Sequence, residues 1–480
     1  MSDKIEKNRL AEVDSLIEKY PDVPQEAIFK EDLLRLGVSF SEDALRVCSG
    51  FKPKSYFIFS FDLRPIKELE QGENLRAPEE LSLVGGPRGF RRTIVSVRIH
   101  PGSPYRVDII EGKLSLLVEG EGVCEIELQE MPEYYLRDLR NGRTISEIAP
   151  TIEWGYLVYL TVYRKCQYFG FKEECQFCDI NENVRQQKEA GRPYETVKPI
   201  EEVVEALEII DETDVEKRTG AYTLTGGSIT RHLRGEDEAT FYEAYARAIN
   251  SRFPGRWISK MVVQALPLDD VKRFRDAGVQ IYHPNYEVWD RRLFPIICPG
   301  KDDYVGRDEW MKRIVDSAEI FGPSQVIPNF VAGVEMAAPH GFKTVEEALA
   351  STGEGLDYFM SQGITPRFTV WCPEPLSVLG KDQGPAPLEY HVGLLRLWRE
   401  TLLRYGLPAP PGYGEPGVGK AVFSVSSFMD ALPGELEVAR LPGESRGAAP
   451  RGRYRPRGFL SAGAARASCP PWASSRPPGT

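Results

Sequence analysis

Three cysteines in one short stretch are the residues of this sequence best suited to chemistry. Cys166, Cys175 and Cys178 follow directly on an apolar, β-branched and aromatic run that ends at Tyr163. Three thiolates can hold a metal centre and still leave one coordination position for a ligand that is not protein. In a four-iron, four-sulfur cubane, three cysteines bind three irons and leave the fourth open. The spacing therefore predicts a metal centre of the catalytic kind.

Zinc is the alternative metal for this loop. A closed zinc site needs a fourth cysteine or histidine, yet the sequence has no second Cys-x-x-Cys, and none of its five histidines lies near the loop. Disulfides are disfavoured because the chain is long and shows no export signal. The other cysteines are scattered singly and are expected to be buried hydrophobic residues, although two of them, Cys298 and Cys372, could serve as a lone auxiliary ligand or hydrogen donor.

Composition limits the class of protein. The chain has 480 residues, of which 41% are apolar, and a net charge of −11. That length predicts two or three domains with a sizeable core. No apolar run is long enough for a membrane span, and the acidic balance argues against a general nucleic-acid binder. We expect a cytoplasmic protein that has no membrane partner.

Alternating strands and helices must position the cysteine loop. Six candidate strands are separated by helical stretches, which favours a parallel sheet with right-handed crossovers and suits an open (β/α)6 barrel of the TIM-barrel type. In parallel barrels the chemistry gathers at the carboxyl ends of the strands, and the cysteine loop directly follows the first strand. The six candidate strands are Tyr156–Tyr163, Ala221–Thr225, Trp257–Gln264, Val279–His283, Gln325–Val331 and Pro366–Trp371.

Five regions are predicted along the chain. An N-terminal helical segment (1–50) is followed by a β-rich accessory domain (51–150) whose short runs are punctuated by Gly and Pro. The barrel occupies 151–385, and a helical extension (386–439) covers it. The tail, 440–480, contains eight arginines and one acidic residue, Glu444, among Pro, Gly, Ala and Ser, so it is expected to be disordered.

Two further polar motifs follow predicted strands. The glycines of Gly226-Gly227-Ser228 would permit close backbone approach to a ligand, although a plain turn explains them as well. Asn285 and Glu287 lie two residues apart on extended chain, so both side chains face the same way and offer hydrogen-bond partners for a diol. A polar turn is the alternative for this pair.

These motifs, taken in order, resemble the radical S-adenosylmethionine enzymes and, within them, the biotin-synthase-like branch. The resemblance covers about 155–380. Phe177 fills the aromatic position that the family has before its last cysteine, but the first cysteine gap is eight residues instead of three. We expect the five additional residues to bulge outward. Ser228 stands where the family has an acid, and Asn285 with Glu287 matches its ribose-binding element.

The resemblance implies the cofactors and the reaction. Cys166, Cys175 and Cys178 would hold a [4Fe-4S] cluster, and S-adenosylmethionine would be cleaved reductively to a 5′-deoxyadenosyl radical that abstracts hydrogen from a substrate. A small-molecule or precursor substrate and a one-electron donor of the flavodoxin or ferredoxin type would be the partners. The residues that would bind S-adenosylmethionine are Phe177, Gly226, Gly227, Ser228, Asn285, Glu287, Arg307, Gly333, Glu335 and Trp371.

Two other functions compete with this interpretation. One is a zinc-binding adaptor that interacts through its β-rich domain. The other is a radical enzyme that modifies RNA, which the acidic body of the chain disfavours. The sequence does not name a substrate, because fold resemblance alone does not specify one.

Overall fold

The structure is a computed structural model that describes residues 9–54, 62, 77–170, 172–189, 191 and 195–441. The arginine-rich tail predicted at 440–480 lies outside the described residues from 442 onward. In the described part of the chain, no helix is both long enough and apolar enough to cross a membrane.

The N-terminal third combines helices with a six-stranded sheet in the order β1-β4-β5-β6-β2-β3. Its strand pairs are antiparallel, apart from the parallel pair of β1 with β4. Helix α3 begins at Ser41, whose hydroxyl accepts a hydrogen bond from the Ala44 N–H at 3.1 Å. The elements are α1 (Arg9–Lys19), α2 (Gln25–Leu36), β1 (Ser39–Phe40), α3 (Glu42–Cys48), β2 (Glu80–Gly85), β3 (Phe90–Ser96), β4 (Tyr105–Ile110), β5 (Lys113–Val118), β6 (Glu121–Glu127), α4 (Ile145–Ile148) and β7 (Thr151–Ile152).

Six parallel strands follow in chain order. Strands β8 to β11 are hydrogen-bonded neighbours in one sheet, in which β7 pairs antiparallel with β8. Strands β12 and β13 form a second parallel pair, and two isolated parallel bridges, Tyr282 to Val326 and Glu287 to Phe330, connect it to the β11 region. The strands are β8 (Leu157–Tyr163), β9 (Ala221–Gly226), β10 (Ile258–Val263), β11 (Ile281–Pro284), β12 (Asn329–Ala332) and β13 (Arg367–Val370).

Helices connect and cover these strands. The side chain of Asp237 caps the start of α7 by accepting from the Thr240 N–H at 2.7 Å, and Thr344 caps α12 in the same way through the Glu347 N–H at 3.2 Å. The helices are α5 (Ile180–Glu189), α6 (Ile200–Thr213), α7 (Glu238–Arg252), α8 (Leu268–Asp276), α9 (Phe294–Ile297), α10 (Pro299–Tyr304), α11 (Arg307–Phe321), α12 (Val345–Met360) and α13 (Leu388–Arg404).

These elements confirm a mixed α/β fold with parallel strands. All six predicted parallel strands form at their predicted positions, with ends that differ by a few residues. Strand β2 was not predicted, and the chain from 405 to 441 contains no helix, so the predicted extension is helical only over Leu388–Arg404. The proposed domain boundaries and the closure of the strands into a barrel stay predictions.

Alternate residues of the parallel strands face one interior cavity. Its volume is about 1460 Å³ including the space at its mouth. Because side chains on a strand alternate between its two faces, the residues that line it lie two apart on each strand. From β8, β9, β10, β12 and β13 respectively, these pairs are Leu157 and Tyr159, Thr223 and Thr225, Lys260 and Val262, Asn329 and Val331, and Arg367 and Thr369.

Candidate functional site

All three cysteines of the predicted loop line this cavity. Cys166, Cys175 and Cys178 lie on the segment between β8 and α5, at the carboxyl end of the first parallel strand. None of the three is in a disulfide. Burial raises the pKa of the Cys166 thiol to about 12 and that of Cys178 well above its usual value. Buried sulfurs of this kind become stable thiolates when a metal centre compensates their charge.

A fourth cysteine, Cys298, adjoins the loop. It lies at the end of α9 and is fully buried. Its thiol hydrogen-bonds the sulfur of Cys175, which lowers the pKa of Cys175 from its ordinary value. Cys298 was considered as a lone auxiliary ligand, but its contact with Cys175 could not be predicted, because the two cysteines are far apart in the chain and belong to different elements.

Hydrogen bonds from several elements fix the cysteine loop. The Asn181 side chain binds both the N–H and the carbonyl of Cys166, at 2.9 and 3.2 Å. The Gln167 N–H donates to the Ser228 carbonyl at 2.9 Å, and the Gln176 N–H donates to the Ile297 carbonyl at 2.8 Å. The loop is therefore held on both sides of the cavity.

The long first gap of the cysteine motif is packed inward at one point, contrary to the expected outward bulge. Tyr168 is fully buried, and its hydroxyl donates to the Gln264 side chain at 2.5 Å. Its ring also packs against the backbone of Gly300, where an added Cβ would lie 2.4 Å from the ring. An aromatic side chain next to a deep cavity gains more by burial than by exposure, which explains the difference from the expectation.

The Gly-Gly motif after β9 lies against the cysteine loop. A Cβ on Gly227 would lie 1.9 Å from the Lys165 carbonyl oxygen, and one on Gly226 would lie 2.6 Å from the Tyr163 carbonyl oxygen. Both glycines and Ser228 line the cavity. The close approach that these glycines permit is therefore to the neighbouring backbone of the cysteine loop.

Asn285 and Glu287 also line the cavity, just beyond the end of β11. The Glu287 carboxylate accepts from Lys301 Nζ at 2.6 Å, and this pair is largely buried. The Asn285 side-chain oxygen accepts from the Asn329 N–H at 3.2 Å. Glu287 has a positive φ of 64°, a conformation that is uncommon for a residue other than glycine. Lys301, whose pKa the surrounding acidic groups raise, was missed by the sequence analysis.

Three of the predicted cofactor-binding residues do not line the cavity. The guanidinium of Arg307 turns back onto the Trp289 carbonyl, with nitrogen-to-oxygen distances of 3.0 and 2.6 Å. Glu335 is buried and accepts hydrogen bonds from Thr352, Tyr390 and the Gly333 N–H. Arg307 and Glu335 therefore bind other parts of the protein, and Gly333 packs against Ala386.

The remaining predicted residues, Phe177 and Trp371, do line the cavity. The Trp371 indole N–H is buried and has no hydrogen-bond partner among the described residues. A buried donor without a partner is unusual in a folded protein, so this N–H is available to a bound molecule.

The far end of the cavity contains three ionisable residues that the sequence analysis did not select: Glu153, Lys260 and Arg367. Burial raises the pKa of Glu153 to about 7, and burial lowers the pKa of Lys260 to about 7. A lysine within an otherwise apolar parallel strand was the available signal for Lys260, since such strands normally carry apolar side chains. Glu153 lies in a turn and had no such signal.

No group of three or more His, Cys, Asp or Glu side chains in the described part of the chain is arranged to hold a single metal ion. A cubane holds its outer sulfur ligands further apart than one ion does, because the inorganic core lies between them. The arrangement therefore does not favour the zinc alternative.

Comparison with known proteins gives no family and only distant structural similarity. No family model matches the chain, and no curated protein matches its sequence. A structure of methylornithine synthase (PylB) aligns with a TM-score of 0.36 and 12% identity, over 62% of this chain and 77% of that one. HydG, a maturase of the [FeFe]-hydrogenase, aligns with a TM-score of 0.34 and 14% identity, over 60% of each chain.

A third structure is coproporphyrinogen III oxidase (HemN) from Escherichia coli, described as a radical SAM enzyme. It aligns with a TM-score of 0.33 and 13% identity, over 52% of each chain. At TM-scores below 0.5, the three similarities establish neither a shared fold nor a shared activity.

Proposed function

We propose that this chain is a radical S-adenosylmethionine enzyme whose Cys166, Cys175 and Cys178 hold a [4Fe-4S] cluster within a six-stranded partial barrel. The observation that carries the proposal is the meeting of separate motifs at one cavity. Three half-buried thiols on a single loop line it together with Gly226 to Ser228 and the pair Asn285 and Glu287. Motifs that only form local turns are not expected to line the same cavity.

The residues present fit such a cluster. Three cysteines from one loop satisfy three irons of a cubane and leave the fourth for a ligand. When bound, the cluster supplies the electron for reductive cleavage of S-adenosylmethionine at its sulfonium. The chain itself contributes the rigid support for the loop, through Asn181 and the carbonyls of Ser228 and Ile297.

Side chains of the cavity would orient S-adenosylmethionine. The Glu287 carboxylate is an acceptor for ribose hydroxyls, and Lys301 offsets its charge in the buried site. The unpartnered indole N–H of Trp371 offers a donor, and Phe177 offers an apolar face. In a cofactor enzyme the protein supplies binding, orientation and exclusion of water. A small-molecule or precursor substrate and a flavodoxin- or ferredoxin-type electron donor complete the proposal.

The decisive test compares Cys178→Ala with a matched cysteine control, Cys124→Ala. Cys124 is also a free cysteine, more deeply buried than Cys178, and it lies on β6, away from the cavity. The wild-type chain, purified without oxygen, is expected to be brown, to hold about four irons as one cubane requires, and to form 5′-deoxyadenosine only with a reductant. Cys178→Ala should lose nearly all of this cleavage, whereas Cys124→Ala should retain it.

Three results would contradict the proposal. Equal cleavage by wild type and Cys178→Ala would show that the loop does not hold the reacting cluster. Colourless protein with one zinc per chain would support the adaptor function instead. Nucleic acid that copurifies and survives moderate salt would point to an RNA substrate.

A further inference from the structure

The cavity has a second end, distant along the strands from the cysteine loop. The register pairs Tyr159 with Thr223 and Thr223 with Lys260, which places the three side by side on β8, β9 and β10. Asn329 pairs with Arg367 in the same way on β12 and β13. Because these positions lie toward the amino ends of their strands, they form a layer below the cysteine loop; we call it the deep layer.

Glu153 reaches this layer from the turn between β7 and β8. Its backbone has a φ of 56°, and the Glu80 carboxylate accepts hydrogen bonds from the N–H groups of Glu153 and Trp154 at 2.6 and 2.7 Å. An uncommon backbone conformation that is held by a buried carboxylate is a feature of functional sites. The Glu153 side chain is 1% exposed.

Two cationic side chains of the deep layer face the same aromatic ring. Lys260 Nζ lies 4.0 Å from the centre of the Tyr413 ring, and the Arg367 guanidinium carbon lies 5.6 Å from it. Lys260 also donates to the Gly412 carbonyl at 3.0 Å. Each of the two positive charges stabilises a nearby anion and destabilises the other positive charge.

Apart from the Lys260 bond to the Gly412 carbonyl, the charged groups of the deep layer have no ionic partner within the described part of the chain. No ion pair within 4.0 Å involves Glu153, Lys260 or Arg367 there, and one oxygen of Glu153 and the Arg367 Nε have no hydrogen-bond partner. Burying an ionised group without a partner is costly. A fold that keeps the buried Lys260 and the half-buried Arg367 beside one carboxyl group provides a place for an external anion.

We propose that the deep layer binds the carboxylate of a small organic acid, which is the substrate, with Arg367 as its principal counter-ion and Lys260 beside it. Two cations and one carboxylate leave a single positive charge when all are ionised, which matches a monoanion. The guanidinium also presents a planar fork that matches a carboxylate. The proposal depends on the proposed function only in taking this cavity as the place where substrate binds.

The layer above supplies room for the body of the acid. Val262 and Val331 line the cavity between the deep layer and the cysteine loop, together with the hydroxyl groups of Thr225 and Thr369. An acid anchored at Arg367 would therefore extend along an apolar wall toward the loop. This geometry favours an acid with an apolar chain or ring.

The test is isothermal titration calorimetry on the full chain with four probes. These are acetate, 3-phenylpropionate, the neutral 3-phenylpropionamide, and phenyl phosphate. We expect the two carboxylates to bind and the amide not to bind. Arg367→Gln should weaken carboxylate binding about 10- to 100-fold, the range for hydrogen bonds to charged groups. Arg367→Lys should recover part of the loss, and Arg396→Gln on the surface of α13 should have no effect.

Glu153→Gln separates a binding role from a structural one. Removing a negative charge beside the bound carboxylate should leave its affinity equal or higher. Equal losses in Glu153→Gln and Arg367→Gln, which a merely structural role produces, would overturn the proposal. So would a failure of both carboxylates to bind, equal binding of the amide, or tighter binding of phenyl phosphate.

The calorimetric titration and the cleavage assay, both carried out on the wild type, distinguish the two proposals. If the wild type binds the carboxylates but does not cleave S-adenosylmethionine, only the proposed function is refuted. Cleavage without carboxylate binding would remove the deep-layer proposal alone.

Discussion

Two groups of buried charges in this chain differ in how they are compensated. In the N-terminal region, Asp32 on α2 is bound by Arg9 at 2.5 Å, by Arg35 at 2.7 Å and by the Tyr105 hydroxyl; we call these four residues the Asp32 cluster. In the deep layer, Glu153 and Lys260 are buried and Arg367 is half-buried, and the three form no ion pair among the described residues.

The difference separates a structural role from a binding role. Charges that satisfy each other hold α1, α2 and β4 together and leave nothing for a ligand. Charges that remain unsatisfied reduce stability unless another molecule pairs with them. Experiments on both groups can therefore test whether the two roles differ.

The largest effect is expected from Asp32→Ala. This change leaves Arg9 and Arg35 buried without their counter-ion, so we expect the free energy of unfolding to fall by about 3–5 kcal/mol. Urea denaturation followed by circular dichroism measures it. The control is Asp43→Ala, whose partner Arg46 is exposed and whose loss should cost about 1 kcal/mol or less. Equal losses in the two variants would refute the structural role of the Asp32 cluster.

A second paired site tests whether compensation is the cause. Lys30 and Asp430 are 2.8 Å apart, and both are 1% exposed. We expect Lys30→Met to destabilise the fold by about 3 kcal/mol, because Asp430 remains charged and buried. The double variant Lys30→Met/Asp430→Leu should recover most of that loss in the same denaturation assay. A double variant as unstable as the sum of the two single variants would argue against pairing as the source of the effect.

An effect of the opposite sign is expected in the deep layer. Burial raises the pKa of Glu153 to about 7 in the folded chain, so the folded state holds this proton over a pH range in which the unfolded state has lost it. Stability therefore falls as pH rises from the unfolded pKa of about 4.3 to about 7. At pH 8, Glu153→Gln should be more stable than wild type by up to about 3 kcal/mol, and at pH 4 the two should be nearly equal.

Urea denaturation across this pH range checks the prediction. Glu31 also has a pKa that burial raises to about 7, so only the difference between wild type and Glu153→Gln isolates Glu153. A difference that does not change with pH, or a variant less stable at pH 8, would show that Glu153 is compensated in solution.

The sequence predicted the parallel strands well because their pattern is local. An apolar run such as Leu157–Tyr163 is rich in β-branched and aromatic residues whichever strands lie beside it. Helix α11 (Arg307–Phe321) likewise forms one of the helical stretches predicted between the strands. Strand β2 was missed because its short apolar pattern follows a long polar stretch.

Only some of the residues predicted to bind the cofactor line the cavity. Asn285 and Glu287 both reach the cavity, although they lie beyond the end of β11 and the positive φ of Glu287 interrupts the extended chain that their spacing assumed. Arg307 lies at the start of α11. The direction of its long, flexible side chain depends on the neighbouring residues, and its guanidinium group contacts Trp289. Local spacing does not contain that information.

The order of the strands and helices follows from the sequence alone, and so does the placement of three cysteines after the first parallel strand. Both depend on residues that are close together in the chain. Only the tertiary structure brought Cys298 to Cys175 and placed Glu153, Lys260 and Arg367 around one cavity. Such contacts join elements that are distant in sequence, and they form because burying the apolar faces of these strands and helices fixes which polar groups share the interior.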